Sequence, residues 1–128
     1  MAATPPTQRR PIRIGGASGG FTDRVAAMKR LASDPDIDAV VGDWLSENVM
    51  TGYGAGKAQQ DSAALAPMPL SERKKTAMYA STFLQCFEPA IEHIARNKTK
   101  VAVNAGASDT ELLALVVRDM VQERAILT

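Results

Sequence analysis

The sequence contains one cysteine, one histidine and only 5% aromatic residues. The single cysteine, Cys86, excludes an internal disulfide framework, and one cysteine with one histidine does not provide the ligand set of a zinc site. We therefore expect no bound metal and a reducing compartment, the cytoplasm.

An excess of charge and a long apolar run are also missing. The 15 Lys and Arg residues nearly balance the 14 Asp and Glu residues, which argues against a nucleic-acid-binding surface. The longest strongly apolar run, Leu112 to Val117, is too short to cross a bilayer, and the N-terminal MAATPPTQRR lacks the apolar core of a signal peptide. We expect neither nucleic acid nor a membrane as a partner.

The apolar residues that are present alternate between strand and helix patterns. Strands are predicted at 11–15, 37–41 and 100–104, and each is followed by glycine or by a polar turn. Helices are predicted after the glycine turn that follows Gly15, from Trp44 to about Gly52 with Asp43 as N-cap, from Ser71 to about Asn97 with a break at Pro89, and from Thr110 to about Arg124.

This alternation predicts one α/β domain over residues 11–128 after a flexible tail at 1–10. We expect a short parallel sheet in a three-layer arrangement with helices on both faces. Three strands are few for such a sheet, and the last predicted element is a helix where a further strand would come next. The sheet is therefore expected to be incomplete at the C-terminus, and the chain to form a homo-oligomer or depend on a partner.

Small and polar residues follow every predicted strand. The carboxyl ends of parallel strands lie at one edge of a sheet, and ligands of open α/β sheets bind there. The candidate catalytic residues at this edge are Asp43, Ser18 and Asn104. The candidate ligand-binding residues are Gly15, Gly16, Gly19, Gly20, Asp23, Arg24, Gly42, Gly106 and Ser108.

The glycine turn in IRIGGASGG, residues 12–20, fits neither the dinucleotide fingerprint nor the phosphate loop. A glycine-rich turn before a helix still exposes N–H groups that suit a carboxylate, phosphate or thioester oxygen. The alternative is a strand-to-helix corner without a ligand. Asp23 and Arg24 could form an ion pair at the mouth of the site, or they could be an ordinary ion pair in the first turn of the helix.

The same turn fits the G-x-S-x-G pattern of a nucleophile elbow around Ser18. Ser18, Asp43 and His93 also follow the chain order of an α/β-hydrolase triad. His93, however, lies inside a predicted helix near Arg96, which favours a partly exposed helical residue over a catalytic one. A serine hydrolase is therefore the third hypothesis, and Cys86 is interpreted as core.

Asp43 and Asn104 each have two interpretations. Asp43 could act as a general base or ligand acceptor, or it could cap the following helix. Asn104 could donate and accept hydrogen bonds at the ligand, or form an Asx turn that ends its strand.

Three stretches carry a resemblance to a known family: IRIGGASGGFTDR at 12–24, VVGDWLSE at 40–47 and KVAVNAGASDTE at 100–111. Together they resemble the N-terminal domain of the acyclic terpene utilisation (AtuA-like) family, over residues 10 to 125. The resemblance implies an α/β domain that acts in catabolism of acyclic isoprenoid acids as CoA thioesters, or in related small-molecule metabolism. A CoA thioester is then substrate, and no separate cofactor is expected.

The resemblance does not define a reaction. If the protein is an enzyme, we expect a lyase or hydratase step next to a carbonyl, with turn N–H groups holding the oxyanion and Asp43 moving the proton. The alternative is a non-catalytic scaffold or a module that needs a partner.

Overall fold

The computed structural model describes residues 10–18 and 25–124. Three strands, β1 (Ile14–Gly16), β2 (Ala39–Gly42) and β3 (Lys100–Val103), form one parallel sheet in the order β1-β2-β3. The predicted α/β class with a short parallel sheet is confirmed. The predicted N-terminal tail lies outside the described residues apart from Arg10, whose guanidinium donates two hydrogen bonds to Asp38, at 2.6 and 2.9 Å.

Seven helices are present in the described residues. The helix α1 (Ala26–Ser33) connects β1 to β2, and α7 (Thr110–Glu123) follows β3. The long connection from β2 to β3 contains α2 (Glu47–Ala58), α3 (Ser62–Leu65), α4 (Leu70–Arg73), α5 (Thr82–Phe87) and α6 (Ile91–Asn97), with 3-10 turns at Lys74–Thr76 and Glu88–Ala90. The second 3-10 turn contains Pro89, so the predicted break there is confirmed.

One face of the sheet is covered by helices. Val40 in the central strand is fully buried, as is Met28 of α1, and Cys86 of α5 is 2% exposed, which confirms its prediction as core. Leu31 of α1 packs over Gly15, where a Cβ atom would lie 2.7 Å from the Leu31 Cδ2 atom. Gly15 is thus explained by close packing of helix against strand.

The opposite face of the sheet is open in the described part of the chain. Because side chains alternate along a strand, this face carries Ile14, Val41 and Ala102, all of them exposed. The sequence predicts helices on both faces, whereas the helices of residues 10–18 and 25–124 lie on one. The strand order explains this difference: it advances in one direction, and right-handed crossovers then remain on the same face.

The helix predicted to start at Trp44 and to end by Gly52 differs from the observed α2 at both ends. It begins after Ser46, whose hydroxyl accepts a hydrogen bond from the Val49 N–H at 3.3 Å, and it continues through Gly52 to Ala58. The low helix propensity of glycine therefore does not end the helix at Gly52. Gly56 lies against Met78, whose sulfur would be 2.7 Å from a Cβ atom at that position.

The prediction of a helix from Ser71 to about Asn97 that is broken only at Pro89 is also wrong. Pro69, not Ser71, is the N-cap of α4, and residues 77–81 are not helical. Instead, the Ala80 N–H donates to the Ala105 carbonyl at 2.9 Å, and the Met78 carbonyl accepts from the Ser108 N–H at 3.0 Å. Pairing with the loop after β3 therefore replaces helical hydrogen bonds in this segment.

Candidate functional site

An open depression of about 520 Å³ lies at the carboxyl ends of the three strands. We call it the strand-end depression. Four of its lining residues are among those predicted from the sequence, and three apolar ones come from the strands themselves. The lining consists of Ser18, Gly42, Asp43 and Asn104, with Val41, Ala102 and Val103.

Two hydrogen bonds fix the chain after β1 beside the end of β2. The Ala17 N–H donates to the Val41 carbonyl at 2.8 Å, which continues the pairing of the two strands. The Ser18 hydroxyl then donates to the backbone carbonyl of Asp43. Ser18 is therefore held at the depression by its hydrogen bond to the residue that follows β2.

Asp43 and Asn104 form the polar centre of the depression. The Asn104 Nδ2 atom donates to Asp43 Oδ1 at 2.6 Å, and the Leu45 N–H donates to the same oxygen at 3.0 Å. Asn104 Oδ1 in turn accepts from the Trp44 N–H at 2.9 Å. These contacts fix both side chains and leave Asp43 Oδ2 without a hydrogen-bond partner among the described residues.

The hydrogen bonds also set the charge of Asp43. The bond from Asn104 is the largest cause that lowers the pKa of the Asp43 carboxyl, followed by the Leu45 N–H, while partial desolvation opposes them. Both donors stabilise the ionised form. The exposed depression therefore contains a carboxylate at neutral pH.

The structure removes one interpretation of Asp43. The observed cap of α2 is Ser46, so Asp43 does not cap a helix that begins at Trp44. Its bond to the N–H two residues later forms an Asx turn instead. Asn104 takes part in a backbone turn instead of an Asx turn, because its main-chain carbonyl accepts from the Ala107 N–H at 3.3 Å.

No described glycine has a positive φ, so backbone conformation does not explain the predicted glycines. They differ in the space that is available for a side chain. A Cβ atom at Gly42 would lie 2.1 Å from the Trp44 ring, and one at Gly106 would lie 2.8 Å from the Thr110 Cα atom. These two glycines permit close packing. A Cβ atom at Gly16, in contrast, would have nothing within 4 Å, so packing does not explain a glycine there.

Some of the predicted site residues are not at the depression. Gly15 and Gly106 are buried, and the Ser108 backbone bonds to Met78. Gly16 is exposed on the same sheet face as Val41 but does not line the depression. Four others, Gly19, Gly20, Asp23 and Arg24, lie outside the described residues. Sequence reasoning missed Val41 and Ala102, although each is two residues before a predicted polar group and so lies on the same face of its strand.

The hydrolase triad is not assembled in the described residues. His93 Nδ1 lies 2.6 Å from an Arg96 guanidinium nitrogen within α6, and its side chain is partly exposed, as the helical interpretation predicted. The Ser18 hydroxyl donates to a backbone carbonyl rather than to an imidazole.

The fold and the depression define the class of protein: an α/β domain with a parallel sheet and polar groups gathered at its carboxyl edge. The family model described as "Acyclic terpene utilisation family protein AtuA" matches residues 12–128, and the chain belongs to this family. Membership supports a role in terpene metabolism. No curated protein and no solved structure matches the chain. Within the described residues, none of the helices has the length and apolarity needed to span a membrane.

Proposed function

We propose that the strand-end depression binds the acyl thioester part of a CoA-linked small molecule, and that Asp43 and Asn104 act on the carbonyl region. The observation that carries the proposal is the Asn104–Asp43 hydrogen bond, which joins the ends of two neighbouring strands. Both residues line the depression.

The charge of the depression favours a thioester over a free carboxylate. Its described lining contains the Asp43 carboxylate and no cation. A second carboxylate would be repelled there, whereas a thioester carbonyl is neutral and accepts hydrogen bonds. The apolar side chains of Val41 and Ala102 provide a surface for a branched acyl chain, whose burial is favourable.

The two polar side chains have complementary hydrogen-bonding capacity. An amide nitrogen carries two hydrogens, so Asn104 can donate one to Asp43 and the other to a carbonyl oxygen. Asp43 Oδ2 can accept the proton from the carbon next to that carbonyl while Asn104 holds the enolate oxygen. Loss of a β-hydroxyl as water, with the proton returned from Asp43, completes a dehydration; addition of water is the reverse.

The proposal is tested by the thermal midpoint of the 128-residue chain with isovaleryl-CoA, free CoA or isovalerate. A ligand that binds the native state raises the midpoint with its concentration. We expect isovaleryl-CoA to raise it for the wild type and much less for Asp43→Asn. The control is Asp36→Asn, the same chemical change in the loop before β2. Equal shifts in all three proteins would contradict the role of Asp43.

The open sheet face favours a second candidate, a non-catalytic module that assembles with itself or with a partner. Ile12 is 76% exposed and Ile14 is 62% exposed beside the uncovered side of the sheet. Apolar surface of this kind marks an interaction site. We expect light scattering to show a dimer or larger assembly that Ile14→Glu dissociates. A monomeric wild type would contradict self-assembly.

A further inference from the structure

A second, smaller pocket lies away from the strand-end depression and shares no lining residue with it. It has a volume of about 140 Å³ and is formed by α3, α4, α7 and the end of α2. We call it the α2–α7 pocket. Its charged lining residues are Lys57, Arg73 and Asp109, and its apolar wall includes Leu65 and Leu112.

The negative charge in this pocket is already neutralised within the protein. The Asp109 side chain is only 8% exposed and forms an ion pair with Lys57. Its second carboxylate oxygen accepts a hydrogen bond from the Met78 N–H at 2.7 Å. Both oxygens are therefore committed to contacts that join α2, the 77–81 segment and the start of α7.

The positive charge of Arg73 has no such partner in the described part of the chain. Among the described residues, Arg73 forms no ion pair and its guanidinium makes no hydrogen bond. The neighbouring Lys75 and Lys74, in contrast, pair with Glu72 and Asp119. The lining thus includes Arg73, which is uncompensated among the described residues, together with Ser62 and an apolar wall.

We propose that the α2–α7 pocket binds a small monocarboxylate through Arg73. The planar guanidinium fork matches the two oxygens of a carboxylate. One uncompensated positive charge balances one negative charge, and the apolar wall suits a short hydrocarbon end. A cavity of about 150 Å³ holds a molecule the size of benzene, so the ligand contains about six heavy atoms.

The proposal is tested by titrating the ¹⁵N-labelled full chain with isobutyrate and following the amide resonances. We expect saturable shifts at residues 62–66 and at Arg73. Isobutyramide has the same shape without the charge and should cause none of them. Equal shifts from the amide would overturn the carboxylate assignment, and so would tighter binding of inorganic phosphate.

Variants distinguish a specific role of Arg73 in binding from the effect of removing one positive charge from the protein. Arg73→Gln should weaken isobutyrate binding about tenfold or more, because a charged hydrogen-bond partner is lost. The matched control is Arg118→Gln on the exposed side of α7. A third variant, Ala66→Phe, fills the pocket without changing its charge and should also abolish binding. Unchanged affinity in Arg73→Gln, with its thermal midpoint retained, would overturn the proposal.

Discussion

The two faces of the sheet differ although the same three strands form both. On the covered face, Gly15 and Val40 are buried beneath helices, and their identities follow from packing. On the open face, Ile14 and Val41 remain exposed, and Gly16 leaves empty space beside it. The covered face holds the fold together, whereas the open face has residues that the fold alone does not require.

The largest expected contrast is between two adjacent residues of β2. Val40 has no exposed surface, while Val41 is 36% exposed. Val40→Ala removes buried methyl groups and leaves a cavity, so we expect a loss of about 2 kcal/mol in the free energy of unfolding. Val41→Ala should change it by less than about 0.5 kcal/mol. Urea denaturation measures the free energy of unfolding of both variants. Equal losses would mean that the open face is covered in solution.

A second contrast uses glycines at the ends of neighbouring strands. Gly42→Ala places a methyl group against the Trp44 ring, and overpacking of this kind costs about 1–3 kcal/mol. Gly16→Ala meets nothing within 4 Å and should leave stability within about 0.5 kcal/mol of the wild type. If Gly16 leaves room for a ligand, Gly16→Ala should still reduce the midpoint shift caused by isovaleryl-CoA. An undiminished shift would remove Gly16 from the site.

A third prediction concerns the pKa of the Asp43 carboxyl, at the edge of the open face. Asn104→Ala removes the main cause of the lowered Asp43 pKa, so that pKa should rise toward its ordinary value in a carbon-detected NMR titration. Asp38 is the internal control, since Arg10 lowers its pKa independently. An unchanged Asp43 pKa in Asn104→Ala would contradict the observed hydrogen bond.

The sign of the effect on stability follows from the direction of the shift. The Asp43 pKa is lower in the folded state, so the ionised carboxylate stabilises the fold above its unfolded pKa. This contribution is lost as the pH falls through the folded pKa. Asn104→Ala should therefore lose less stability than the wild type over that acidic range.

The smallest effects are expected in α2, away from the sheet. Gly52 and Gly54 are exposed helical glycines, and a methyl group added at either position would have nothing within 4 Å. Each change to alanine should raise the free energy of unfolding by about 0.5–1 kcal/mol. Gly56→Ala should gain less, because its methyl group would meet the Met78 sulfur. Equal gains at all three positions in thermal denaturation would contradict that contact.

Local patterns predicted the elements that have a continuous apolar run or a regular helical period. The apolar run ending at Val41, the run from Lys100 and the 3.6-residue period of α7 correspond to observed elements. The helix predicted from Ser71 failed because residues 77–81 bond to a loop far along the chain, at Ala105 and Ser108. Such a long-range contact leaves no periodicity in the sequence.

The candidate site was predictable in part for a similar reason. Parallel strands alone bring Asp43 and Asn104 to one edge, and the structure has them in contact. The open face was not predictable, because it depends on strand order and therefore on the side to which the crossovers go. The α2–α7 pocket was missed as well, since Lys57, Arg73 and Asp109 come from three separate segments.

The most direct test of a ligand site at the strand-end depression is to titrate the ¹⁵N-labelled chain with isovaleryl-CoA and to map the binding site by amide chemical shifts. We expect saturable shifts to concentrate at Ser18, Val41, Ala102 and Asn104, and we expect Asp43→Asn to reduce them while Asp36→Asn does not. Shifts confined to the helices of the covered face, or no saturable shifts at all, would contradict a ligand site at the open face of the sheet.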